Sequence, residues 1–321
     1  MVINFLNSHD ILKLLATIIM VPLFTIGVVA CTRSDVTEID LTKRAPLMEQ
    51  SRSTNPGLLI GMGALITPKE GYYYYSRLKD YIAKELQIPV NLVDRENYAE
   101  MNRLIAEGGV DMAFVCAGPY VEGHDQFGME LLAMPLVKGK PVYHSYIIVP
   151  KDSPAQKLDD LRGKTFAFTD PKSNSGKIVP SYLLARRKET PESFFSKVSY
   201  SYGHDKSIMT VAEKLVDGAA VDSLIWEYSA QTKPDLTAKT RIIDVSEPYG
   251  IPPIVVRKDL PQATKKRILK LLLSMHETPE GKMILAGMMI DRFVPGDDAN
   301  YDSIRAIKKW IAGHNRVTHS Q

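Results

Sequence analysis

Residues 168–184 read FTDPKSNSGKIVPSYLL. An apolar stretch ending at Phe168 gives way to a polar run, Asp170–Gly176, and a helical pattern over Lys177–Lys188 follows at once. A strand that passes into a helix through a short Ser/Asn/Gly loop is a building unit of α/β folds. The loop also carries chemistry. A helix N-terminus presents amides without intrahelical partners at the positive end of the dipole, which suits an anion. Ser173 and Ser175 add hydroxyl donors and Asn174 an amide, while Gly176 allows a ligand close to the backbone. The same residues equally suit a turn that only caps a helix. The loop lacks the G-x-x-x-x-G-K-[ST] spacing of a Walker phosphate loop.

Outward from this unit the alternation continues. Leu58–Met62, Pro89–Asp94 and Val110–Cys116 predict strands, the last buried on both faces because polar alternation stops after Asp111. Gly71–Leu86 and Tyr98–Glu107 predict helices, the second closed by Gly108-Gly109. Val142–Pro150 is β-rich. Val198–Tyr202, Arg241–Val245 and Ile254–Arg257 read as strands, Ala219–Ile225 as a strand plus a turn, and Ser207–Asp217 as a helix. The tail is helical over Pro261–Glu277, Pro279–Met288 and Tyr301–Ala312. The number of units predicts two α/β lobes, 57–144 plus 249–321 and 145–248, with crossings near Tyr143-His144 and near Pro248–Pro253. Two crossings make a hinge with a ligand cleft.

Composition sets bounds. The 321 residues are 45% hydrophobic and 24% charged, the balance of a globular chain, and the formal charge of +3 includes no basic block. A nucleic-acid partner therefore gains little support. Ile11–Ala30 is almost wholly apolar, with Lys13 its sole charge, and it ends in Val28-Val29-Ala30-Cys31. That ending matches the lipobox of bacterial lipoproteins. It predicts a signal peptide over 1–30, lipidation at Cys31 and a polar tether over 31–56. An uncleaved anchor helix is the alternative for a run this long. Of the two cysteines, Cys116 would then be a free thiol in an exported protein.

Other candidates sit at strand ends, where open α/β sheets face their ligands. Cys116 ends a strand before a Gly-Pro turn and Tyr120, and a buried core cysteine is the competing reading. His204, in Tyr202-Gly203-His204-Asp205, lies between a strand and a helix. Tyr72–Tyr75 open a helix, and Asp222 ends a strand. No G-x-S-x-G, H-E-x-x-H or paired-Cys metal spacing occurs, so the expectation is no enzyme, no metal and no cofactor.

Together these segments resemble the phosphate/phosphite/phosphonate-binding family of ABC-transporter periplasmic proteins. The carriers are GMGALITPKEGYYYYSRLKDYI, GGVDMAFVCAGPYVEG, YIIVPKDSP, FTDPKSNSGKIVPSYLL, YGHDKSIMTVAEKLVDGAAVDS and PPIVVRKDL, spanning about Leu58 to Leu260. The resemblance implies a type II periplasmic-binding fold that closes on a tetrahedral oxyanion. It implies ligand contacts from Ser173, Asn174, Ser175 and His204, from Tyr74 or Tyr75, and from Tyr120, with Cys116 and Asp222 as further candidates. It implies an ABC permease and ATPase as partners; the lipid expected at Cys31 would hold the protein to the membrane, and a monomer is expected. Acidic residues expected to hold the ammonium of aminoalkyl-phosphonates fall on Leu224 and Pro252, which favours phosphite, phosphate or a small phosphonate. Arsenite receptors among the relatives use a cleft thiol and feed a sensor histidine kinase, so Cys116 opens that alternative.

Overall fold

A computed structural model describes residues 57–63 and 68–318. The expectations for the signal peptide, Cys31 and the tether lie outside the described residues. In chain order the first sheet contributes β1 (Leu58–Met62), β2 (Val90–Asp94), β3 (Met112–Phe114) and β4 (Glu130–Leu136). A short β5 (Val142–Tyr143) leads into a second sheet built from β6 (Ser145–Pro150), β7 (Thr165–Phe168), β8 (Lys197–Tyr200), β9 (Gly218–Asp222) and β10 (Thr240–Val245). The chain then returns through β11 (Tyr249–Gly250) to β12 (Ile254–Val256) and β13 (Arg292–Pro295) of the first sheet. The six-stranded sheet has the order β13-β4-β12-β3-β1-β2, and the five-stranded sheet β10-β6-β9-β7-β8. The two connections pair with each other: Tyr143 faces Tyr249 and Val142 faces Gly250 in an antiparallel ribbon.

The helices are α1 (Pro68–Leu86), α2 (Tyr98–Ala106), α3 (Ala117–Phe127), α4 (Val179–Ala185), α5 (Pro191–Phe194), α6 (His204–Ala212), α7 (Ser223–Thr232), α8 (Pro234–Thr237), α9 (Gln262–Ser274), α10 (Pro279–Gly287) and α11 (Asp302–Thr318). None of the described helices is long and apolar enough to cross a membrane.

Strand alternation decides which helices each sheet face receives. Leu58, Ile60 and Met62 of β1, with Met112 and Phe114 of β3, bury one face against Tyr75, Leu78 and Ile82 of α1 and Ile268 and Leu272 of α9. Ala113 and Val115 point the other way, into a layer with Met101 and Ile105 of α2, Val121 of α3, and Ile304 and Ile307 of α11. Each such side chain contributes about 1.5–3 kcal/mol when fully buried. The spacing Tyr75, Leu78, Ile82 is the apolar stripe of an amphipathic helix, and cutting Ile82 back to alanine would cost about 2–5 kcal/mol.

In the second lobe, Phe166, Phe168, Phe194 and Phe195 fill one face of the sheet, with Phe166 and Phe195 stacked at 4.3 Å between centroids. The opposite face meets Ile208 and Val211 of α6. The last helix belongs to neither lobe alone. α11 packs on α3 in the first lobe and on α4 in the second, where Trp310 stands edge-on to Tyr182 at 5.1 Å.

Several elements depart from expectation, among them the helices α3 and α7, the second beginning at Ser223 inside the Ala219–Ile225 segment. β4 and β13 were not anticipated: Pro135 interrupts the first and Pro295 ends the second, and a proline lowers any strand reading. The segment expected to be helical from Lys177 coils three residues earlier, as a π-turn over Asn174–Ile178 that precedes α4. Pro180 explains the irregularity. It lacks the N–H that would bond the carbonyl of Gly176, and that carbonyl accepts from Thr169 N instead, at 3.2 Å.

Candidate functional site

The serine loop is placed by its own hydrogen bonds. Ser173 caps the π-turn by accepting from Gly176 N at 3.0 Å. Ser145 Oγ, at the start of β6, donates to the carbonyl of Ser175 at 2.6 Å, and Asn174 Nδ2 donates to the Tyr143 hydroxyl at 3.0 Å. The loop is thereby tied to the connection between the lobes. Ser173, Asn174 and Ser175 are each 0% exposed. Ser175 Oγ and Asn174 Oδ1 nevertheless have no hydrogen-bond partner. Buried polar atoms are normally satisfied, so each orphan calls for an explanation, and a bound molecule is one.

His204 opens α6 and is also buried, with Nε2 unpartnered. Its Nδ1 accepts from the backbone amide of Asp222 at 3.0 Å and lies 3.0 Å from Thr169 Oγ1. Burial pushes its pKa down to about 3, so the ring is neutral. Thr169 joins the two elements: its side chain touches His204, its amide donates to Gly176, and its carbonyl accepts from Tyr202 N at 2.7 Å.

A small cavity of about 50 Å³ lies between the lobes, lined by Met62, Tyr98 and Arg95 from the first and by Thr169, Asp170, His204 and Ile225 from the second. Ser175 does not line it but sits deeper, beside Tyr143, while His204 forms part of its wall. Tyr98 and Tyr143 cluster with Cys116 and Asp222, and burial holds both phenols well above their ordinary range. Tyr75, stacked edge-on to Phe114, borders the same cluster.

Asp222 is 1% exposed and accepts from Leu224 N at 2.7 Å as the N-cap of α7. Burial raises its carboxyl to about 7. Cys116 stands at the N-terminus of α3, its sulfur against the Asn174 amide and the Ser173 hydroxyl of the other lobe, and burial pushes the thiol up to about 11. A thiol so raised keeps its proton at neutral pH, unlike an activated nucleophile.

Two expected residues stand elsewhere. Tyr120 turns away: its hydroxyl donates to Asp298 at 2.6 Å and its ring meets Tyr301. It shares a face of α3 with Ala117, and that face packs with Ile304 and Ile307 of α11. Tyr74 packs on Gly287 of α10 and belongs to the first core layer, because α1 can direct only one of two adjacent tyrosines toward the cleft. The geometry thus assembles Tyr75, Cys116, Ser173, Asn174, Ser175, His204 and Asp222, and leaves out Tyr74 and Tyr120. Tyr98, Tyr143 and Thr169 were missed. Thr169 and Tyr98 could have been found from their places just after β7 and β2, at the ligand-facing strand ends.

The lobes are in contact around this cluster. Lys172 pairs with Glu122 on one flank and Lys138 with Glu227 on the other. Tyr98 N donates to Asp170 Oδ2 across the cleft at 3.2 Å. Gly118 of α3 lies so close to the serine loop that a β-carbon there would run into the carbonyl of Lys172. Among the described residues no group of three or more His, Cys, Asp or Glu is placed to hold a metal ion.

Comparison with known proteins places this arrangement. Residues 61–301 match the model of a family described as ABC transporter, phosphonate, periplasmic substrate-binding protein. The phosphonates-binding periplasmic protein of Escherichia coli (strain K12) is 29% identical over 229 residues, covering 70% of this chain and 68% of that one. A probable phosphite-binding protein, PhnD1, from Prochlorococcus marinus (strain MIT 9301) is 25% identical over 156 residues, 47% of this chain and 52% of its own length. Among solved structures, a binding-protein component of a Pseudomonas aeruginosa phosphonate transporter superposes with a TM-score of 0.77 at 23% identity, covering 81% of this chain and 88% of its own. The P. marinus PhnD1 complex with methylphosphonate gives 0.73 at 18% identity, covering 79% and 98%. The fold is that of type II periplasmic-binding proteins, and the chain belongs to the family of periplasmic substrate-binding proteins of phosphonate ABC transporters.

Proposed function

We propose that this protein captures a compact tetrahedral oxyanion, namely phosphite, phosphate or a small phosphonate such as methylphosphonate, between its lobes for delivery to an ABC permease and its ATPase. One observation carries the reading. His204 Nε2 and Ser175 Oγ are buried hydrogen-bonding atoms without partners, held on two elements that Thr169 joins at an interlobe cleft. Hydrogen bonds to a charged ligand contribute about 1.5–3 kcal/mol each, so a few suffice for micromolar affinity.

Size supports a small ligand. A cavity of about 50 Å³ takes about four water-sized groups, close to an oxyanion with at most one further heavy atom. Leu224 and Pro252 add no charge with which to hold an ammonium. The signal peptide and lipidation at Cys31 complete the proposal as a tether outside the cytoplasm, the location that the family implies.

Calorimetry with phosphite, methylphosphonate, phosphate, sulfate, arsenite and 2-aminoethylphosphonate tests it. Tightest binding is expected among the first three. Tighter binding of 2-aminoethylphosphonate overturns the size argument. Arsenite binding that Cys116→Ser abolishes would replace transport of a phosphorus oxyanion by thiol-based arsenite reception, with a sensor kinase as the partner. Metabolic labelling with a fatty acid, lost in Cys31→Ser, tests the anchor.

A further inference from the structure

A histidine that meets an anion is ordinarily assigned a positive charge, and the surroundings of His204 argue otherwise. Its Nδ1 lies 3.0 Å from the backbone N–H of Asp222. A backbone amide can only donate, so Nδ1 must be the acceptor and carry no proton. A proton on Nδ1 would set two N–H groups against each other and would strand a buried amide. The remaining ring proton then belongs to Nε2, the nitrogen without a partner.

Thr169 adds the second constraint. Its Oγ1 is 3.0 Å from Nδ1, 3.2 Å from the carbonyl of Ala220 and 3.4 Å from Ser207 Oγ. Its hydroxyl, which donates to the Ala220 carbonyl, stands against the same nitrogen as the Asp222 amide and helps hold the ring in place.

The charged groups around the ring do not reverse this assignment. Asp170 spends its carboxylate on Lys172 N at 2.7 Å and Tyr98 N at 3.2 Å. Asp222 directs its own to Leu224 N at 2.7 Å. Arg95 and Glu96 line the outer cavity, with Arg95 donating to the carbonyl of Asp94. Asp205 follows His204 in the chain, and the Tyr98 phenol is uncharged. Among the described residues no carboxylate oxygen hydrogen-bonds either ring nitrogen.

We propose that the Asp222 amide, with Thr169 as a positioning residue, locks His204 as a neutral Nε2–H donor, so that the site grips its ligand through His204 without a formal positive charge. This rests on His204 being a ligand contact. Such a site discriminates by hydrogen-bond geometry. His204 then contributes neither a pH step nor a salt-sensitive attraction to affinity.

Nitrogen-15 NMR of the histidine rings tests the lock, with His204 assigned by its loss in His204→Ala. One protonated and one unprotonated ring nitrogen, the proton on Nε2, are expected from pH 5 to pH 8. An imidazolium pattern at or above pH 5, or a proton on Nδ1, overturns the proposal. Thr169→Val is expected to weaken methylphosphonate or phosphite binding about three- to tenfold and to let a second tautomer appear, with Thr169→Ser restoring both. A Thr169→Val spectrum and affinity equal to wild type remove Thr169 from the device. The two readings fail separately. A neutral Nε2–H ring in the parent together with undiminished affinity in His204→Ala sinks the ligand contact, whereas an imidazolium in the parent with affinity lost in His204→Ala sinks the lock alone.

Discussion

Lys172, on the serine loop of the second lobe, rests its ammonium on the carboxylate of Glu122 in α3 of the first. The pair therefore exists only when the lobes are together, and the half-buried ammonium of Lys308 on α11 faces the same carboxylate. Glu122→Gln removes the attraction while keeping the shape. A partly exposed pair is worth about 0.5–1 kcal/mol, so ligand affinity should fall about two- to fivefold, with reduced dependence on salt. Calorimetry at low and high ionic strength reads both, and an unchanged affinity would show that the pair does not favour closure.

Gly118→Ala should act on closure rather than on folding. The added methyl would meet the carbonyl of Lys172 and stand 3.1 Å from Asn174 N, both on the opposite lobe. Overpacking of this kind costs about 1–3 kcal/mol, while alanine favours α3 itself. Affinity should drop and the ligand-free melting temperature should hold. A melting temperature that falls together with affinity would contradict the assignment of the clash to the interlobe contact.

Ser175→Ala separates a binding role from a structural one. Its hydroxyl stands beside the Tyr143 phenol without a well-formed hydrogen bond, so deleting it should leave stability within about 0.5 kcal/mol of the parent. A lost hydrogen bond to an oxyanion should weaken binding by about 1–3 kcal/mol. Paired denaturation and titration experiments supply the comparison, and equal binding would remove Ser175 from the site.

Asp222 predicts a pH dependence of stability. Its folded pKa is raised by burial to about 7, above the unfolded value near 4. The folded state thus holds this proton more tightly, and the associated stability is complete below about pH 4 and is lost as pH rises through about 7. The upper bound is about 4 kcal/mol. Asp222→Asn keeps an acceptor for Leu224 N and removes the titration, so its unfolding free energy should change less than that of the parent between pH 5 and pH 8. Parallel curves for the two proteins would refute the buried carboxyl as their cause.

Much of this architecture was legible because α/β units carry strong local signals. The Ser-rich loop, Gly108-Gly109 and the stripe Tyr75, Leu78, Ile82 each declare an element through chemistry within a few residues. What stayed hidden depends on partners distant in sequence. β13 reads poorly alone and forms because Phe293 pairs with Pro135, far back in the chain. Tyr120 had the right residue type and neighbourhood, yet only α11 decides its direction, through Asp298 and Tyr301. For Thr169 the place at a strand end was legible but the role was not: its importance comes from His204 and Gly176, which both bond to it.

The contact between Trp310 and Tyr182 gives the molecule an optical handle. An indole whose neighbour lies on the other lobe must change its surroundings when the cleft opens, so its emission colour becomes a readout of occupancy. Trp226, the other tryptophan of the chain, donates to Thr240 within a single lobe and would supply only a constant background. Replacing it with phenylalanine would leave one tryptophan, at the moving boundary, able to follow ligand capture in real time without any added label.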